Sequence, residues 1–179
     1  LVSRSTSGPL RLLLTGPPQC GKTTVVRRVV EAFPGQAAGF YTQEVREGGR
    51  RLGFVIVTLD GEEAWLSHVD FTGPHRVGKY GVSLENLHRV ALPAMSLRPG
   101  IDLIVVDEVG KMECLSPRFI RALEELWAAD VPLLVTVAAK GGGYIAQVRE
   151  KPDALLMVVT PENRDELPEK ILSLLTGQL

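Results

Sequence analysis

The chain has 179 residues, 45% of them apolar, and a formal net charge of −1. That is enough for one well-packed domain and short for two. The near-neutral balance removes the global basic field expected of a nucleic-acid-binding protein. Two isolated cysteines, Cys20 and Cys114, do not make a disulfide scaffold, and no apolar run approaches the roughly 20 residues of a membrane span. A monomer of the reducing cytoplasm, with no membrane partner and no specific nucleic-acid partner, is the expectation. The opening "LVSRSTSGP" (1–9) reads as a flexible leader or expression remnant, leaving 10–179 as a single folded domain.

The first apolar run, "LRLLL" (10–14), is nearly continuous, as are "IDLIVV" (101–106), "PLLVTVAA" (132–139) and "ALLMVVT" (154–160). Runs of this kind suit strands buried on both faces of a parallel sheet. After the first comes a helix in "TTVVRRVVEAF", with Val25, Val26, Val29, Val30 and Phe33 on one face and Arg27, Arg28 and Glu31 on the other. The section 37–82 breaks the rhythm: "AAGFYTQEV" and "RLGFVIVTL" are β-rich with the turn "REGGRR" between them, a β-hairpin insertion on the core. A helix follows around Leu84–Met95, shortened or kinked by Pro93. "SPRFIRALEELW" is a second amphipathic helix, with Ser116 as N-cap, Pro117 at its first position, and Phe119, Ile120, Leu123 and Trp127 as its stripe. "KGGGY" reads as a flexible loop. "TPENRDELPEKILSLL" repeats the Ser-Pro type of start at Thr160–Pro161 and closes the chain with a helix near Leu167–Leu175. Strand–helix alternation predicts a three-layer α/β/α sandwich around a mostly parallel sheet.

Between the first strand and first helix lies "GPPQCGKTT". Gly16, Pro17, Pro18, Gln19, Cys20, Gly21, Lys22 and Thr23 match G-x-x-x-x-G-K-[ST], with Thr24 next, in the strand-to-helix context that gives the motif its meaning. Glycines let the backbone curl so that amides converge on phosphate oxygens, and the helix adds its positive N-terminus. Lys22 is placed to bridge β- and γ-phosphates, and the Thr23 hydroxyl to bind Mg²⁺. Cys20 at a helix N-terminus is either a thiol of lowered pKa or a small buried filler.

"LIVVDEVGKME" supplies the complement. Asp107 ends an apolar strand and is a second Mg²⁺ ligand, directly or through water; Glu108 is the candidate to orient or deprotonate an attacking water. Glu113, past Gly110, is either a second carboxylate of the site or the partner of Lys111 in a surface ion pair.

These stretches together resemble the nucleoside-triphosphatase family of the thermophilic-bacterial and cancer-related type. "LLLTGPPQCGKTT", "GFYTQEVREGGRRLGF", "VGKYGV", "ALPAM", "VVDEVGKMECLSPRF" and "TPENRD" occur in that family's order, from about Leu10 to Leu175. The resemblance implies a P-loop NTPase core that hydrolyses several NTPs, ATP, GTP, CTP and UTP among them, to NDP and phosphate with Mg²⁺. It carries nucleotide-binding roles onto Gly16–Thr23 and onto the strand and turn Leu103, Ile104, Val105, Val106, Asp107, Glu108, Val109 and Gly110. Three departures stand out: Gln19–Cys20 where Gly-Val is usual, Gln43 where an acid is usual, and "TVAAKGGGYIAQV" in place of a "TIP" stretch.

Arg46, Arg50, Arg51 and Arg164 are candidates for a cation on the departing phosphate, each also readable as a solvated surface residue. Asn163 either faces the base or starts a helix; Tyr41 and Glu44 line the cleft or, for Tyr41, the core. His68, His75 and His88 lack metal-ligand spacing, and no N-K-x-D guanine-reading motif occurs. Two other functions fit the same motifs: a nucleotide or small-molecule kinase with the hairpin arginines as lid, and a nucleotide-dependent switch.

Overall fold

The computed structural model describes residues 8–177, so most of the expected leader lies outside the described residues. In chain order the elements are β1 (Arg11–Thr15), α1 (Lys22–Ala32), β2 (Ala37–Glu47), β3 (Arg50–Thr58), β4 (Glu63–His68), β5 (Arg76–Val77), β6 (Tyr80–Val82), α2 (Leu84–Asn86), a π-helical turn (Leu87–Ala91), α3 (Leu92–Ala94), β7 (Leu103–Val109), a 3-10 turn (Glu113–Leu115), α4 (Pro117–Trp127), β8 (Leu133–Val137), α5 (Gly143–Arg149), β9 (Leu155–Val158) and α6 (Leu167–Thr176). All the strands belong to one sheet of order β5-β6-β4-β3-β2-β7-β8-β1-β9.

The parallel core is β2-β7-β8-β1-β9: the four apolar stretches legible in the sequence form β1, β7, β8 and β9, and β2 joins them. Alternation along these strands sorts side chains into two layers. Leu12, Leu14, Leu103, Val105 and Leu134 face α1 and α6, packing on Val25, Val26, Val29, Leu167 and Ile171. Leu13, Ile104, Val106, Leu133 and Val135 face the other way, onto Leu87, Val90, Phe119, Leu123, Ile145 and Val148 of the remaining helices. Helices cover both faces of β1, β7 and β8, as their continuous apolar runs demand, but β9 at the sheet edge leaves Leu155, Leu156 and Val158 exposed, against the expectation of a strand buried on both faces.

Section 37–82 is more than a hairpin laid on the core. β2 itself pairs in parallel with β7, Ala37 opposite Leu103 through Phe40 opposite Val106, and then continues as one arm of the hairpin with β3. β4, β6 and β5 extend it by antiparallel pairing. "AAGF" is uniformly apolar like the other buried runs, so the same strand serves both halves.

Three local expectations change. α5 begins in "KGGGY", where a loop is expected; Ile145 and Val148 bury against the sheet and stabilise a helix whose glycines disfavour it. The final helix spans Leu167–Thr176, as expected near Leu167–Leu175, but the Thr160–Pro161 signal opens no helix, because 161–166 form turns held by Asn163. Around Pro93 the preceding turn widens, with Leu92 N–H donating to Leu87 O, which accommodates a ring that lacks an N–H, and the helix ends just past it at Ala94. Ser116 caps α4 as expected, its Oγ accepting from Phe119 N–H at 3.1 Å, while Ile120 is only half-buried and Leu126 completes the stripe. Among the described residues no helix is long and apolar enough to cross a membrane.

Candidate active site

The phosphate loop leaves β1 at the C-terminal edge of the parallel strands and ends in α1, whose first residue is Lys22. Pro17, Pro18 and Gln19 are exposed, and Gln19 takes φ +61°, so the loop bulges into solvent with amides to offer. Cys20 is 5% exposed and its Sγ packs over Gly16, which makes it the filler beneath the loop. The Lys22 ammonium crosses the loop and donates to Gly16 O at 2.7 Å, with Pro17 O at 3.4 Å and Glu108 Oε2 at 3.7 Å.

Strand alternation turns Asp107 to the same face as Leu103 and Val105, the face covered by α1. There Thr23 Oγ1 donates to Asp107 Oδ2 at 2.7 Å. The other carboxylate oxygen accepts from Thr136 Oγ1 of β8 at 2.6 Å. Asp107 is 2% exposed. Burial pushes its pKa up, opposed by the Thr136 and Thr23 hydroxyls and the Lys22 charge. Thr136 has no place among the sequence candidates. Its signal was a lone hydroxyl inside an otherwise apolar strand, but its meaning depends on β8 lying beside β7, which spacing does not reveal.

Glu108 is raised first by burial and also by Asp107, while Lys22 opposes the shift. Beyond it the chain folds back through the 3-10 turn, bringing Glu113 in from the opposite side. A side chain atom added at Gly110 would lie 3.1 Å from Glu108 Oε1 and 3.3 Å from Glu113 Oε2, so the two carboxyls flank the same small gap. Glu113 is 4% exposed, which excludes a surface ion pair with Lys111. Burial, then the Glu108 charge, lift its pKa to about 8. Cys114 next to it is pushed up to about 12, chiefly by burial, and is an inert thiol.

The remaining candidates divide. Leu103, Ile104, Val105, Val106 and Val109 are fully buried; they carry Asp107 and Glu108 to the sheet edge and present no side chain to a ligand. Gly110 supplies the gap between the two glutamates. Thr24 is exposed at the first turn of α1 and lines, with Gly21, Val25, Arg28, Arg164 and Asp165, a hollow of about 210 Å³. Asn163 does not point its amide outward. Oδ1 accepts from Thr160 N–H at 2.8 Å and Nδ2 donates to Val158 O at 2.8 Å, so it shapes the loop that carries Arg164 against Gly21. His88 Nε2 lies 2.6 Å from Ser116 Oγ and ties the π-helical turn to α4. Tyr41 is half-buried, with the Arg27 guanidinium 5.3 Å over its ring.

The residues present fit a hard divalent cation. Thr23 Oγ1 and Asp107 Oδ2 are neighbouring oxygen donors 2.7 Å apart, close to the edge of about 3 Å that an octahedral Mg²⁺ with bonds near 2.1 Å requires. Among the described residues no three His, Cys, Asp or Glu converge on a metal cage. That suits an ion whose other ligands are phosphate and water.

A glycine loop on a helix N-terminus, a threonine bonded to an aspartate across two strand ends, and a parallel sheet between helices together define a P-loop α/β protein. The family described as NTPase matches residues 11–172. Nucleoside-triphosphatase THEP1 of Thermotoga maritima is 36% identical over 93% of this chain and 95% of its own length. The human cancer-related nucleoside-triphosphatase is 38% identical over 90% and 94%. The crystal structure of THEP1 from Aquifex aeolicus superposes with a TM-score of 0.85 at 34% identity, covering 93% of this chain and 99% of that one. The chain belongs to the NTPase family of enzymes.

Proposed function

We propose that the chain is a Mg²⁺-dependent nucleoside-triphosphatase of broad base preference, releasing NDP and phosphate. The observation that carries this reading is the closed set Lys22–Glu108 and Thr23–Asp107 at the mouth of the phosphate loop. Loop amides and the Lys22 ammonium bind the polyphosphate tail, exchanging Gly16 O for phosphate oxygen as the acceptor. Thr23 and Asp107 would hold Mg²⁺, which would supply neutralisation of the phosphate charge. Thr136 fixes the Asp107 carboxylate so that its free electron pairs face Thr23. Glu108 orients the attacking water and accepts its proton as the bond to phosphorus forms. Glu113, mostly protonated at neutral pH, flanks the same gap as a neutral hydrogen-bond donor and takes up no proton itself. The γ-phosphoryl leaves with the water oxygen, and the β-phosphate remains on the loop.

Breadth toward the base follows from what the loop grips. Phosphate and metal contacts are blind to the base, Asn163 is engaged by its own loop, and the hollow beside Gly21 offers charged, solvated side chains rather than a fixed donor–acceptor pattern. The test is phosphate release from ATP, GTP, CTP and UTP with and without Mg²⁺, and a parallel search for a phosphorylated nucleoside or nucleotide acceptor. Metal-dependent release from all four without an acceptor is expected; transfer to an acceptor in preference to water makes the protein a kinase instead. Lys22→Ala should lower turnover about 10²–10³-fold, the usual cost of removing one fixed donor to developing charge.

A further inference from the structure

The cations of the hairpin lie outside the phosphate loop and the acidic strand end, yet the fold brings them to both. β2 pairs with β7 only through Phe40, while the strand itself runs to Glu47. Its last seven residues therefore overhang the C-terminal edge of the parallel sheet, the edge from which the phosphate loop rises. Arg27 of α1, stacked on Tyr41, braces the root of this overhang.

A regular ladder would set Arg46 opposite Leu52 and turn Arg51 to the other face. The register shifts between Val45 and Arg46, so that Arg46 pairs with Arg51 instead. A bulge re-aims a side chain in this way, and here it brings Arg51 to the face that carries Glu44. Glu44 Oε1 lies 3.1 Å from Arg51 Nε and also takes Arg46 Nε. Its other oxygen accepts from Nε2 of Gln19, in the phosphate loop, at 3.3 Å. One carboxylate thus ties the loop to two arginines.

The two arginines are not equivalent. Arg46 is about half exposed and donates from Nη1 to the hairpin turn at Gly49 O, 3.2 Å away. Arg51 is more enclosed, with its guanidinium carbon 5.5 Å over the Phe54 ring. Its Nε is out of solvent but makes no aligned hydrogen bond. Among the described residues, its terminal nitrogens meet no carboxylate or carbonyl, only the Tyr80 hydroxyl, which after Glu44 helps raise its pKa. A planar fork tied to Glu44 at its stem, with only a neutral hydroxyl and no carboxylate at its tip, is suited to two adjacent phosphate oxygens.

We propose that Arg51 is the arginine that contacts the γ-phosphate as charge spreads over its oxygens, and that Glu44 is the positioning residue that holds it against the phosphate loop. The proposal rests on the triphosphatase reading above.

Steady-state phosphate release and calorimetric binding of Mg²⁺–NDP, with and without aluminium fluoride as a mimic of the transferring phosphoryl group, test it on wild type, Arg51→Ala, Arg51→Lys, Glu44→Gln and the control Arg50→Ala. Arginines in this role are worth about 10³–10⁵ in turnover. Arg51→Ala should lose at least about 100-fold in kcat, keep NDP affinity within about threefold, and lose the tightening that aluminium fluoride gives wild type. Arg51→Lys, which keeps the charge and the fold but not the fork, should lose nearly as much. Glu44→Gln should lower kcat about tenfold with NDP affinity held, and Arg50→Ala should leave both readouts at the wild-type level. Turnover of Arg51→Ala or Arg51→Lys within threefold of wild type, or retained tightening by aluminium fluoride, overturns the assignment. Failure of wild type itself to bind or hydrolyse triphosphate overturns the triphosphatase reading instead.

Discussion

The end of β7 and the tip of the β2–β3 hairpin meet at the same loop but are built on opposite terms. At the end of β7 the groups are acidic and buried: Asp107 and Glu113 are 2% and 4% exposed, and every carboxyl there is pushed toward its neutral form. At the hairpin the charges are mostly positive and solvated, and Glu44 is held ionised by its arginines and Gln19 despite partial burial. Buried acids are fixed, and are costly until a cation arrives; solvated arginines are cheap to keep and free to turn. A metal-loaded polyphosphate brings positive charge to the first region and negative charge to the second. The division teaches why an enzyme of this kind keeps its buried acids on the sheet and its solvated cations on the overhang.

The largest effect expected on that comparison is from Glu108→Gln. It removes the proton acceptor but keeps the side chain's size and leaves the Lys22 hydrogen bond to Gly16 O, so turnover should drop about 10²–10⁴-fold while triphosphate binding persists. Phosphate release together with equilibrium binding checks it, and wild-type turnover by this variant would break the assignment.

β2 crosses both regions, and its glycines separate them. A side chain at Gly39, where β2 lies against β7, would come 1.9 Å from Val105 O, so Gly39→Ala should cost about 3 kcal/mol or more in urea unfolding. At Gly49, on the hairpin turn, nothing lies within 4 Å of the added atom and only φ +76° resists it. Gly49→Ala should cost about 1–2 kcal/mol, the smallest effect in this set. Equal losses at the two positions would mean that the hairpin turn is as tightly packed as the sheet.

Between these falls the pH dependence. Glu113 has a folded-state pKa of about 8 against an ordinary 4.5. Between these values the unfolded chain is ionised there while the folded chain holds a proton. Folding is therefore favoured at the acid end of the window and loses stability as pH rises through it, on the order of 1 kcal/mol per pH unit. Asp107 and Glu108 shift in the same direction. Metal-free protein should show a falling unfolding midpoint from pH 5 to pH 8, and Glu113→Gln should flatten that slope. A slope unchanged by the substitution would place the burden on Asp107 and Glu108 alone.

Much of this molecule was written locally. The four apolar runs, the amphipathic faces of α1 and α4, the Ser116 cap, and the G-x-x-x-x-G-K-T loop between β1 and α1 follow from short-range chemistry: burial periodicity, orphan amides at a helix start, and the backbone freedom of glycine. They were sufficient to name Lys22, Thr23, Asp107 and Glu108. Only the tertiary structure decided that β2 belongs to the parallel core, that Thr136 of β8 holds Asp107, that Glu113 folds back against Glu108, and that a bulge turns Arg51 toward Glu44. Each of these joins residues distant in the chain through strand order or register. Those are set by the competition of whole faces for burial, which no stretch of sequence carries by itself.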